Sequence, residues 1–288
     1  MNLLNDLPVR RLGVALLMAG LGAVPPALAR HNHINAGASS HQPGSPLYFA
    51  NGTTWDAASG FLIHLAPNNT TPYGPIYLGG ADVTFTSLAA TPDNGGPDPR
   101  AALPGSHVEM ILVSVTGPAA GALSFWDSFD GFFEATEITF SVPTATTNGA
   151  YPIALSENDG SAGADPYGHI HGRKFSANVP GLYTAGFRLV DTSVNGAGGG
   201  PIHSPSEVTY FNFQAGTTLQ VVKVAGGEAT VQFGTELGKT YYVEASSALG
   251  IDAHWTTLAG PLAGTDRLMS VGGLTLGEAV SFFRLRVE

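Results

Sequence analysis

The chain alternates short apolar runs with clusters of turn-forming residues, and no stretch sustains helical periodicity. Val108-Glu109-Met110-Ile111-Leu112-Val113-Ser114-Val115 is β-branched and apolar. In Glu137-Ile138-Thr139-Phe140-Ser141-Val142 every second residue is apolar, which puts Ile138, Phe140 and Val142 on one strand face. Gly181 to Asp191 and Val208 to Gln214 read as two further strands. Pro92 to Pro99, Asn158 to Pro166 and Asn195 to Pro201 separate them with turn chemistry. This pattern predicts an all-β fold, a β-sandwich.

A boundary is expected near Ala215-Gly216. Beyond it come six more strand candidates, Leu219 to Val224, Glu228 to Phe233, Thr240 to Ala245, His254 to Leu258, Arg267 to Val271 and Ser281 to Val287. Their spacing suits a second, smaller β-sandwich-like unit. The expected organisation is a leader over 1–29, a histidine-containing sandwich over 30–216 and a C-terminal β module over 217–288.

Composition sharpens this picture. The 288 residues include 38 Gly and 20 Pro, and only 12% are charged, which excludes a coiled coil and a charged disordered chain. Twelve basic residues face 22 acidic ones, so there is no cationic stripe for nucleic acid. With no cysteine, disulfides, thiolate metal sites and cysteine nucleophiles are excluded. Arg10-Arg11, the short apolar run Leu12 to Val24, Pro25-Pro26 and Ala27-Leu28-Ala29 form the pattern of a secretory signal peptide cut after Ala29. The expected location is therefore the periplasm, the outer surface or the medium, with no transmembrane segment after cleavage. The triplets starting at Asn51 and Asn69 match the N-glycosylation pattern and are read as polar loops of a bacterial protein.

Nine histidines carry the candidate chemistry. Two pairs have the form His-x-His, His31/His33 and His169/His171, where chance yields about 0.3 pairs at this histidine content. On a strand, residues i and i+2 share a face about 6.5–7 Å apart, a spacing that lets two imidazoles converge on one metal. Ile170 would then face the core, and the flanking Gly168 and Gly172 permit close backbone approach. Glu157, Asp159, Asp165 and Asp191 could ligate a metal or orient a ring N–H. The other reading is a strand whose histidines face solvent. For His31-Asn32-His33-Ile34-Asn35-Ala36-Gly37 the choice is between an unstructured terminus and an edge strand that adds ligands to the same centre. His203 lies beside the Gly196 to Gly200 loop, and His107 could be a ligand or a bystander. Trp126-Asp127, Phe129-Asp130 and Phe132-Phe133-Glu134 could form a sugar-binding patch or belong to the core. Gly-x-Ser-x-Gly, His-Glu-x-x-His, Walker and dinucleotide motifs are all missing, so the chain gives no positive sign of an enzyme.

Asp165-Pro166-Tyr167-Gly168-His169-Ile170-His171-Gly172-Arg173, followed by Pro180-Gly181-Leu182-Tyr183, resembles the Gly-His-x-His and Pro-Gly-x-Tyr segments of surface-anchored bacterial proteins. Together with His31-Asn32-His33-Ile34-Asn35-Ala36-Gly37-Ala38, Leu47-Tyr48-Phe49, Ser124-Phe125-Trp126, Leu155-Ser156-Glu157-Asn158-Asp159, Asp191-Thr192-Ser193-Val194-Asn195-Gly196 and Gly200-Pro201-Ile202-His203, it is similar to exported proteins controlled by the zinc-uptake repressor. The resemblance spans roughly residues 31–214. It implies a role in zinc scavenging, storage or homeostasis, with His31, His33, His169, His171 and His203 as ligands. Zinc is the expected metal on ligand type, with copper or another divalent transition metal behind it. An open zinc site of hydrolytic type and a metal-free glycan- or protein-binding module are the alternatives. That family usually ends in a sorting signal, whereas Phe282-Phe283-Arg284-Leu285-Arg286-Val287-Glu288 reads as a last strand. Residues 217–288 resemble small β modules of exported bacterial proteins, which could contact cell-surface components.

Overall fold

Two-residue periodicity governs the whole structure, a computed structural model that describes residues 32–69, 74–79, 83–127, 138–169, 173–277 and 282–288. The leader expected over 1–29, His31, His171 and the aromatic stretch 129–134 lie outside the described residues. The strands, in chain order, are β1 (Asn32–Ala38), β2 (Leu47–Phe49), β3 (Leu62–Asn68), β4 (Ile76–Gly79), β5 (Val83–Ser87), β6 (Val108–Thr116), β7 (Ala122–Trp126), β8 (Phe140–Pro143), β9 (Tyr151–Ala154) and β10 (Gly168–His169). They continue with β11 (Lys174–Ala177), β12 (Gly181–Asp191), β13 (Thr209–Ala215), β14 (Leu219–Ala225), β15 (Glu228–Gly234), β16 (Thr240–Ser246), β17 (Thr256–Ala263), β18 (Leu268–Thr275) and β19 (Phe282–Val287).

The protein is all-β. A four-stranded sheet of order β10-β5-β1-β2 packs on a nine-stranded sheet of order β8-β7-β11-β4-β3-β13-β12-β6-β9. Their shared core is aromatic. Phe85 of the small sheet touches Phe175, Phe187 and Phe211 of the large one, with ring centroids 5.5–6.2 Å apart, and also meets Phe49 of β2. Such large side chains each remove a large apolar area from water, which stabilises the sandwich. On β12, Tyr183, Ala185, Phe187 and Leu189 alternate into this core. Trp126 is also buried, with its indole N–H donating to Ser176 Oγ at 2.7 Å. That burial corrects the sugar-patch reading at Trp126, because the ring presents no face to solvent.

β1 corrects a second expectation. It is interior to its sheet, parallel to β5 on one side and antiparallel to β2 on the other. Ile34, Ala36 and Ala38 point into the core and are almost fully buried. The pairing with β2 covers only Ala36 to Ala38, while Asn32 to Ala36 pair with β5.

Beyond Ala215, sheets β14-β15-β18 and β17-β16-β19 enclose a separate apolar cluster of Ala229, Val231, Phe233, Tyr241, Val243 and Leu274. All six strands expected there are present, within a few residues at each end except for longer β17 and β18. This unit joins the sandwich through backbone pairing: Leu62 N–H donates to the Asp266 carbonyl at 3.2 Å, and Leu268 N–H to the Gly60 carbonyl at 2.9 Å. Among the described residues no helix is long and apolar enough to cross a membrane.

Phe85 carries the packing of the small sheet onto Phe175, Phe187 and Phe211 of the large one. Phe85→Ala is expected to destabilise the fold by about 3–5 kcal/mol in chemical denaturation. A loss below about 1 kcal/mol would mean that the small sheet is not packed as described.

Candidate metal centre

Because Ile34 and Ala36 face the core, His33 and Asn35 fall on the opposite face of β1. β5 follows the same rule, with Phe85 inward and Thr84 and Thr86 outward. The register sets His33 beside Thr84, and Asn35 and His169 on either side of Thr86. β1 and β10 therefore flank β5 and are about 9–10 Å apart, two strand spacings. Yet the rings of His33 and His169 meet, with centroids 4.3 Å apart and planes at 65°. Both imidazoles must lean inward over β5, and the short threonine side chains leave room for them. Two histidines 136 positions apart thus come together by sheet topology alone.

Three local devices hold this pair. First, β2 pairs only with Ala36 to Ala38, and the Asn51 side chain takes over where it stops. Asn51 Oδ1 accepts the Asn35 N–H at 2.8 Å, and its Nδ2 donates to the His33 carbonyl at 2.7 Å. The amide thus substitutes for one residue of a neighbouring strand. Second, a Cβ at Gly168 would lie 1.7 Å from the Leu155 carbonyl oxygen, so only glycine lets β10 reach β5 at this point. Third, Glu157 Oε1 accepts the His169 N–H at 3.0 Å, fixing the backbone of the ligand candidate. Asn51 was legible in the sequence only as part of a glycosylation triplet. The Val83-Thr84-Phe85-Thr86-Ser87 alternation was the available signal for β5.

His203 stands apart. It is 1% exposed, and its Nε2 accepts the Leu103 N–H at 2.9 Å. That leaves the proton on Nδ1, which donates to the Ser45 carbonyl at 3.0 Å. With both nitrogens engaged by backbone, His203 ties the 39–46 turn to the 101–103 segment and offers no lone pair to a metal. Burial pushes its pKa below the ordinary imidazole value, against the raising influence of Ser45 and Asp191. His107 has one ring nitrogen engaged, its Nδ1 facing Asn158 Oδ1 at 2.9 Å.

Two carboxylates from the candidate set organise loops. Asp191 is 6% exposed and accepts four backbone N–H groups, from His107, Ser193, Ile202 and His203, at 2.8–3.0 Å. Asp165 accepts from Ala90, Thr91, Asn94 and Tyr167. Burial pushes both carboxyls up, but these hydrogen bonds outweigh it and hold both below the usual carboxylate range.

Among the described residues no group of three or more potential ligands forms. His33 and His169 are together, His203 is elsewhere, and His31 and His171 lie outside the described residues. A neutral imidazole pair suits zinc, copper or nickel, and the donor types present fit such an ion. No protein-family model and no curated protein matches the chain.

The pKa directions fix the sign of the pH dependence. His203, Asp165 and Asp191 all bind more protons unfolded than folded, so stability rises with pH. The His203 contribution is complete above about pH 6.5, the unfolded value, and is lost as pH falls from there. The carboxylate contribution is complete above about pH 4 and is lost below it. Denaturation midpoints should therefore fall in two stages on acidification. Asp191→Asn should cost roughly 2–3 kcal/mol at pH 7 and flatten the lower stage. A profile unaffected by Asp191→Asn would contradict the loop-organising role.

Proposed function

We propose that this chain is an exported metal-binding protein of the bacterial envelope. It takes up zinc, with copper or another divalent transition metal as the next choice, through a centre built on His33 and His169. The observation that carries the reading is the contact of those two rings across β5, from segments far apart in sequence. A packed core has no need of such a contact, since the pair sits on the sheet face opposite the phenylalanines. His31 and His171, the second members of the two His-x-His pairs, belong to the proposed ligand set on the sequence resemblance alone, while His203 is withdrawn from it because its ring nitrogens serve the backbone.

The likeness of residues 31–214 to proteins controlled by the zinc-uptake repressor supports zinc scavenging, storage or homeostasis as the role. The signal-peptide pattern of 1–29 supports action in the periplasm, at the outer surface or in the medium. The C-terminal unit is proposed to contact cell-surface components. Supporting this are the solvent-exposed Val221, Val222 and Val224 on β14, together with Arg284 over Trp255 and Arg286 over Tyr242.

Elemental mass spectrometry of the untagged, dialysed protein tests the reading. About one zinc per chain is expected. The His33→Gln/His169→Gln variant should retain under roughly a tenth of it while keeping its circular dichroism, because both rings lie outside the core. His254→Gln should bind as the parent does. A parent protein that takes up no zinc at micromolar levels, or a double variant that binds normally, would overturn the proposal.

A further inference from the structure

The dipeptide Asn-Gly occurs four times, at Asn51-Gly52, Asn94-Gly95, Asn148-Gly149 and Asn195-Gly196. Asparagine loses its side-chain amide most readily in this pair, because glycine has no Cβ to keep its backbone nitrogen away from the carboxamide carbon. The reaction needs two freedoms. The carboxamide must swing back over the chain, and the glycine N–H must be released so that its nitrogen can attack. At three of the four positions the fold restrains the carboxamide. Asn51 has both ends of its amide engaged, by the Asn35 N–H and the His33 carbonyl. Asn94 Nδ2 donates to Asp165 Oδ2 at 3.0 Å, and the Gly95 N–H donates to the Pro92 carbonyl at 3.0 Å. Asn195 Nδ2 donates to the carbonyls of Gly105 and Gly160 at 2.7 and 2.8 Å, and the Gly196 N–H to that of Gly200 at 2.7 Å. Asn148 differs. It is exposed, in the segment between β8 and β9, and its carboxamide makes no hydrogen bond with the described residues. Only the Gly149 N–H is held, by the Val113 carbonyl at 2.7 Å. That bond lies just before β9, the outermost strand of the nine-stranded sheet, and sheet edges open locally more readily than interiors.

We infer that Asn148 is a site of spontaneous covalent modification by deamidation, and that the fold shields Asn51, Asn94 and Asn195 from the same reaction. The Gly149 nitrogen gives up its proton and attacks the Asn148 Cγ. A C–N bond forms there, the Cγ–Nδ2 bond breaks, and the side-chain nitrogen leaves as ammonia with that proton. Water then opens the resulting cyclic imide at either carbonyl and leaves aspartate or isoaspartate. Water is the only co-reactant, and no oxidant or reductant is consumed. The product carries a new negative charge, and isoaspartate also lengthens the backbone beside Gly149, where β9 meets β6. The same change at Asn51 would reach further into the structure. A carboxylate there cannot donate to the His33 carbonyl, so the strand that presents His33 would lose that hold. The fold thus directs the reaction away from the asparagine that braces β1 and toward one in an edge turn. This inference stands independently of the metal reading.

The test incubates the full exported chain at mildly alkaline pH and follows each asparagine by peptide mapping with mass spectrometry. Isoaspartate is scored separately with an isoaspartyl methyltransferase. All four sites share one dipeptide, so their intrinsic rates are close and differences between them report the fold. In the native protein Asn148 should react first. Asn51, Asn94 and Asn195 should react at least roughly tenfold more slowly, because additional hydrogen bonds must open. In urea strong enough to unfold the chain, the four rates should converge to within a few-fold. Asn148→Gln should remove the early product and leave the other three rates unchanged. A native chain in which Asn51, Asn94 or Asn195 reacts as fast as Asn148 would overturn the shielding. An Asn148 that reacts only in urea would overturn it as the site. Rates that stay apart in urea would trace the difference to neighbouring residues and overturn the role of the fold.

Discussion

The structure depends on the docking of β1 between β5 and β2. One face of this strand supplies Ile34, Ala36 and Ala38 to the sandwich core, and the other presents His33. Because side chains alternate with a period of two, the apolar face that stabilises the strand also dictates which way the histidine points. A slip of one residue would bury His33 against Phe85 and expose Ile34. The free energy that fixes the register of the core therefore fixes the face on which His33 stands. The same logic acts on β5, where Phe85 anchors the strand and the threonines on either side of it are turned to the imidazoles.

Around this frame, polar side chains do the work that long loops cannot do with backbone pairing. Asp191 gathers four N–H groups, Asn51 continues the ladder where β2 ends, and His203 bridges two loops with its ring nitrogens. Each is buried enough that its hydrogen bonds are shielded from water, and each would leave several unpaired groups behind if removed. This explains why residues that look like metal or catalytic candidates in a linear chain turn out to be structural. Aspartate and histidine are chosen for loop organisation for the same reason they are chosen for chemistry, since they offer strong acceptors and directional donors.

Much of this architecture was legible from sequence. β12 spans Gly181–Asp191, the range its pattern predicts, and β6, β13 and the six C-terminal strands lie close to their expected ranges. Alternation and turn residues suffice there because one face of each strand is buried. β5 carries only a weak strand signal, the alternation around Phe85, because its two threonines and one serine also suit a loop until Phe85 is seen to be buried. The His-x-His spacing singled out His33 and His169, whose rings the fold brings into contact, and Gly168 was recognisable as a place of close backbone approach. That β1 is interior, that β5 separates the two histidine strands and that His203 serves the backbone are consequences of long-range pairing, which local pattern does not encode.

The central claim is that His33 and His169 share one metal ion over β5. Cadmium-113 NMR on protein labelled with nitrogen-15 at histidine tests it most directly, because scalar coupling appears only between directly bonded nuclei or those a few bonds apart. The account predicts one cadmium resonance coupled to the ring nitrogens of both His33 and His169, with none to His203. A cadmium resonance that couples to His203, or to only one of the pair, would contradict it.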